Sequence, residues 1–170
     1  MFNPGFIIEA LEQNAAVFKE LLSGLSKDAY LWKPAPEKWC LLEVICHLYD
    51  EEREDFKSRL RHVLDNNAEP LPSIDPQGWV KSRKYMERDF EQMIAEFLKE
   101  RNKSIHWLRS LSNPQWDNAY QHPKFGPMSG KLFLSNWLAH DYLHFRQITG
   151  LKHGYLKMQS GEDLQYAGIW

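Results

Sequence analysis

Long hydrophobic runs are missing from this chain. No stretch approaches the roughly 18 apolar residues of a membrane-spanning helix, and Met1-Phe2-Asn3-Pro4-Gly5 lacks the basic start and apolar run of an export signal. A soluble, non-exported protein without a membrane partner is expected. Cysteine is also scarce: there are two, Cys40 and Cys46. On one helix they would sit nearly two turns apart, too far to bridge. Both read as reduced apolar fillers, which predicts a cytoplasmic setting. Charge of one sign is lacking too, since 21 basic residues are scattered among 23 acidic ones for a net −2. Without a basic face, a nucleic-acid partner is not expected. There is no glycine-rich phosphate loop, no Gly-x-Ser-x-Gly elbow and no Cys-x-x-Cys pair, which removes nucleotide, hydrolase-elbow and zinc-ribbon readings. No strand-like alternation persists, and there are no internal repeats.

What is present is a hydrophobic share of 43% and an aromatic share of 14% with seven Trp, enough for bulky packing or a lined cavity. The 170 residues fit one domain spanning 1–170. Four helices are predicted from apolar spacing. The first runs from Phe6 to Leu25 on Ile7, Leu11, Phe18, Leu21 and Leu25, with Asn14 in the gap. The second runs from Leu41 to Leu64 on Leu41, Ile45, Leu48, Phe56, Leu60 and Val63, ended by Asp65-Asn66-Asn67. The third opens near Asp75-Pro76, an N-cap followed by a first-turn proline. It is clearest at Phe90, Ile94, Phe97, Ile105, Leu108 and Leu111, and stops at Asn113-Pro114. A loop over 116–130 leads to the fourth, Lys131 to Thr149, with Gly150 as its stop. The tail from Leu151 to Trp170 reads as irregular. The economical solution is an all-α, antiparallel four-helix bundle.

The fourth segment carries the chemistry. Phe133, Trp137, His140, His144, Ile148 and Leu151 share one face, so the two histidines stand one turn apart where the helix enters the bundle. Burying two imidazoles among aromatics costs free energy unless their nitrogens find partners. A shared metal ion solves this, and the alternative is two separately hydrogen-bonded core histidines. In the second segment His47 lies off the apolar stripe, beside Asp50, Glu51 and Glu54. From spacing it is either a solvated histidine or a third ligand at a groove. In the latter case Glu51 would be a fourth ligand or, like Asp50, a base acting on an activated water. Arg101 interrupts the third stripe and Glu52 the second. An inter-helical ion pair accounts for them, and the functional alternative is that Arg101 reads an anionic substrate group. Asn14 is expected in the same polar layer.

Several segments resemble the DinB-like superfamily. Trp39-Cys40-Leu41-Leu42-Glu43-Val44-Ile45-Cys46-His47-Leu48-Tyr49-Asp50-Glu51-Glu52 is similar to the stretch with its first histidine, and His140-Asp141-Tyr142-Leu143-His144-Phe145-Arg146-Gln147-Ile148 to its closing His-x-x-x-His. His122-Pro123-Lys124-Phe125-Gly126-Pro127, Ile74-Asp75-Pro76-Gln77-Gly78-Trp79 and Tyr166-Ala167-Gly168 extend the likeness over the chain. Cys40 departs from it, standing where the family tends to place a Ser or Thr cap. The resemblance implies an up-down-down-up bundle, often a homodimer, with His47, His140 and His144 on a divalent metal, nickel or zinc. It also implies a small-molecule substrate and a reaction of the thiol S-transferase type with a low-molecular-weight thiol. Metal-dependent hydrolysis and a non-catalytic, stress-responsive metal protein are the alternatives.

Overall fold

The computed structural model describes residues 1–66 and 69–170. Asn67, expected to help end the second helix, lies outside them. Helix α1 (Pro4–Leu22) starts on Asn3, whose side chain accepts the Phe6 N–H at 3.1 Å. It stops before the predicted Leu25, and a short α2 (Lys27–Leu31) follows. The second predicted helix is continuous but changes winding. It is α-helical over α3 (Leu41–Glu51), π-helical over Glu52–Phe56 and α-helical again over α4 (Lys57–Leu64). At the start of α3, Glu43 accepts the Cys40 N–H at 2.9 Å, the carboxylate half of a capping box, and pairs with Lys33 at 2.7 Å.

Asp75 does cap a helix, but a separate one, α5 (Pro76–Ser82). Lys84 is left-handed at φ 52° and breaks the chain there, and Asp89 then caps α6 (Phe90–Ser110). Between α6 and α7 the expected loop contains an antiparallel hairpin, β1 (Ala119–His122) with β2 (Gly126–Ser129), so the chain is not strictly all-α. Its strands are four residues long and include Gly126 and Pro127, too short and broken for an alternating pattern. His122 Nδ1 accepts the Lys124 and Phe125 N–H groups and closes the turn.

The largest correction concerns α7, which runs from Gly130 to Ser160. Gly150 does not stop it, and ten residues of the predicted irregular tail are helical. Gly150 is not among the left-handed glycines and so caps nothing; one turn on, Trp32 lies over Gly154, where an added Cβ would come within 2.7 Å of the indole. The helix ends at Gly161, left-handed at φ 68°.

Cross-helix pairs give the directions. Leu11, Asn14 and Leu21 of α1 meet Arg101, Asp141 and Lys152 in turn, and Phe18 meets both Phe97 and Phe145. Helices α1 and α7 therefore run parallel, and α6 runs against α1. Glu52 pairs with both Arg101 and Trp137. The topology is up-down-down-up, and the simple antiparallel expectation needs that correction. The segment between α4 and α6, with α5 in it, returns the chain along the bundle's length. Two apolar clusters fill the interior. One holds Phe18, Leu22, Ile45, Leu48, Ile94, Phe97 and Ile148; the other holds Leu11, Leu60, Ile105, Leu108, Phe133, Leu134 and Trp137. A polar layer of Asn14, Glu52, Arg101 and Asp141 separates them.

Candidate metal centre

The polar layer is a hydrogen-bonded network centred on Arg101. Arg101 is 1% exposed. Its Nη1 and Nη2 donate to the two Asp141 oxygens at 2.7 and 2.8 Å, its Nε to Glu52 at 3.0 Å, and Nη1 also to the Leu11 carbonyl at 3.1 Å. Asn14 donates to Asp141 at 3.0 Å, and the Trp137 indole to Glu52 at 2.9 Å. The ion-pair reading of Arg101 and Glu52 holds. The guanidinium is buried among these partners, away from any surface a substrate could reach, which disfavours the expected substrate contact of Arg101.

Next to this layer, in the seam between α3 and α7, His47, His140 and His144 converge. Each offers a nitrogen, and the three nitrogens lie within 4.8 Å of one another. His140 and His144 face each other through their Nε2 atoms at 3.0 Å. The predicted one-turn spacing on α7 produces that contact. Trp39 packs on His47, with ring centroids 4.9 Å apart, and Phe56 packs on His140 at the same distance. His47 and His144 are buried, whereas His140 is half-buried on the open side.

Burial keeps these imidazoles neutral. It pushes His47 down to about 3, helped by the nearby His144, and His144 down to about 4. His140 falls to about 2, by burial first and then by its two histidine neighbours and Arg101. Neutral imidazole is the ligating form. Two nitrogens bound to one tetrahedral ion at about 2.1 Å stand roughly 3.4 Å apart, close to the His140–His144 contact. His47 Nδ1 is buried with no hydrogen-bond partner, which is costly unless another group meets it. The donor set fits a divalent metal ion.

Glu51 stands beside the ligands. Its Oε1 is 3.9 Å from His47 Nδ1, too long for a hydrogen bond, and has no partner of its own. Burial pushes its carboxyl up to about 8, with Asp55 adding to the rise. Asp50 is oriented away from this cluster. It accepts from the Tyr85 hydroxyl at 2.7 Å and pairs with Arg83 at 2.7 Å, in a polar cleft that no histidine lines. Cys46 lines that cleft as well, and burial raises its thiol to about 12, an inert filler as expected.

His47 is in the seam despite its place on the wheel. Every residue from Leu41 to Leu48 is buried, because α3 is covered by α2, α5, α6 and α7. A helix covered on several sides has no solvent face for a wheel to find. The residue that sequence reasoning missed is Asp141. It falls four residues after Trp137 and seven before Ile148, so the seam spacing itself held the signal.

The chain matches the model of the DinB superfamily over residues 10–148. Among solved structures it is similar to YfiT from Bacillus subtilis, described as a probable metal-dependent hydrolase with an unusual four-helix bundle topology. The TM-score is 0.77 at 18% identity, over 94% of this chain and 89% of that one. No curated protein matches the chain.

Proposed function

The chain belongs to the DinB superfamily, and from that premise we propose that it is a metal-dependent enzyme acting on small molecules, with hydrolysis as its reaction. His47, His140 and His144 would hold the ion, zinc or nickel. A bound divalent ion supplies Lewis acidity, lowering the pKa of a coordinated nucleophile and polarising a carbonyl or phosphoryl oxygen. Three neutral ligands leave its charge undiminished for that task. Glu51 would accept the nucleophile's proton at Oε1 and return it to the leaving group, acting in the ionised form that a neighbouring bound cation favours against the burial that raises its pKa. Trp39 and Phe56 flank the ligands and limit water to the open side at His140.

The observation that carries the hydrolytic reading is Glu51, a buried carboxylate with an unpartnered oxygen 3.9 Å from His47. Water, with its high pKa, needs such a proton acceptor, whereas a thiol ionises far more readily. The fold shared with YfiT, itself described as a probable metal-dependent hydrolase, supports the same reading. Thiol S-transfer remains the second reading, favoured by the uncharged ligand set, which suits a bound thiolate. The test is an assay of metal-loaded protein against p-nitrophenyl esters and, separately, chlorobimane with biological thiols. Ester turnover that falls about 10²- to 10⁴-fold in Glu51→Gln is expected. Bimane conjugation without ester turnover, indifferent to Glu51, would transfer the assignment to the thiol reaction. No turnover in either assay would leave a non-catalytic metal protein.

A further inference from the structure

Beside the histidines there is a cavity of about 430 Å³, between α7, the π-helical turn and the hairpin. His140 is the one proposed ligand on its wall. The rest of that wall is dominated by Phe56, Phe125, Met128, Leu132, Phe133 and Leu143. Leu132, Leu143 and Phe125 are 41%, 54% and 66% exposed, an apolar rim that water touches.

The cavity's charged residues are already engaged with each other. Arg59 pairs with Asp55, Nε to Oδ1 at 3.0 Å, and its Nη2 donates to the Pro72 carbonyl at 3.1 Å. This guanidinium is tied down, with its charge offset by a neighbouring carboxylate. A ligand carrying an acid would gain little there, whereas an uncharged apolar group would displace poorly held water from aromatic and aliphatic walls. The volume lies in the ordinary range for small-molecule sites.

We propose that this cavity is an acyl- or aryl-binding slot, which selects substrates whose uncharged apolar group extends from the reacting bond at His140 toward Leu132 and Leu143. The proposal rests on the metal-enzyme reading and names its substrate class: neutral esters, amides or comparable electrophiles with an apolar side of about six or more carbons, not small polyanions. The hairpin contributes Phe125 and Met128, and His122 closes the turn that positions Phe125.

The test separates slot from metal by using hydroxamates, whose head chelates a metal and whose tail varies. Zinc-loaded protein is titrated by calorimetry with acetohydroxamate and hexanohydroxamate. Acetohydroxamate binding reports the centre alone. If the slot exists, hexanohydroxamate binds at least 30-fold tighter, since each buried methylene is worth about fourfold. In Leu143→Asp and Leu132→Asp, both at exposed positions, most of that gain disappears. Equal affinity for the two hydroxamates overturns the slot and leaves the centre standing. Failure of both to bind zinc-loaded protein overturns the metal-enzyme reading itself. Sedimentation velocity of the same variants covers the remaining case. If Leu143→Asp splits a dimer while the gain from the hexanoyl tail survives, the apolar rim is a subunit contact and the slot proposal falls.

Discussion

Two buried polar clusters lie side by side in this bundle, joined through the consecutive residues His140 and Asp141, and they differ in one respect. Around Arg101 opposite charges meet: two carboxylates, an amide, an indole and a backbone carbonyl take up the guanidinium and one another, leaving one Glu52 oxygen and the Ser104 hydroxyl unpartnered. Around His47 no such pairing forms: three histidine nitrogens lie within 4.8 Å of one another, and the His47 Nδ1 and the nearest Glu51 oxygen are buried, 3.9 Å apart and unpartnered. Buried polarity by itself therefore does not mark a functional site here. Three ligating nitrogens converging without an opposite charge do. The first cluster specifies how four helices pack, and the second is a donor set that fits an ion.

The comparison breaks most visibly at Arg101. Replacing it with Met strands Asp141 and Glu52 as buried carboxylates, and a loss of about 3–5 kcal/mol is expected in chemical denaturation. Metal removal comes next. If the ion binds only the folded chain, chelation should lower stability by about 2.7 kcal/mol relative to free metal at 100 times its dissociation constant, read as a fall in melting temperature. Wild-type protein that melts identically with and without chelator would refute the metal assignment.

Acid should act through the histidine cluster. All three imidazoles have folded-state values of about 2 to 4, below the unfolded 6.5. The stability they contribute is complete above 6.5 and lost as pH falls below it toward those values. The slope is at most about 1.4 kcal/mol per pH unit for each histidine protonated on unfolding. Urea titrations of metal-free protein between pH 7 and 5 check this, and a flat profile would show the imidazoles to be solvated. The smallest effect sharpens the contrast. In metal-free protein His47→Leu should change stability by no more than about 1 kcal/mol, because it removes a polar group that had no protein partner.

Much of this was legible in the sequence, residue by residue. His140 and His144 could be read because they share the face of Phe133, Trp137 and Ile148, and the helix does present that face to the bundle. Glu52 and Arg101 could be read as a pair because each interrupts an apolar stripe. His47 could not be read from spacing, since a wheel assumes one buried side and α3 is covered on several; the family resemblance supplied it. Past Gly150, α7 packs at Gly154 against Trp32, more than a hundred residues away, and no local rule contains that contact. The hairpin was hidden by its brevity, and Asp50 by Tyr85 and Arg83, whose approach is purely tertiary.

The central claim is that His47, His140 and His144 bind one divalent ion. Elemental analysis of wild-type protein and of the three single His→Ala variants, after zinc or nickel loading and gel filtration, tests it most directly. The account predicts one ion per chain in the wild type and less than a tenth of that in each variant. Variants that retain the wild-type stoichiometry would contradict it.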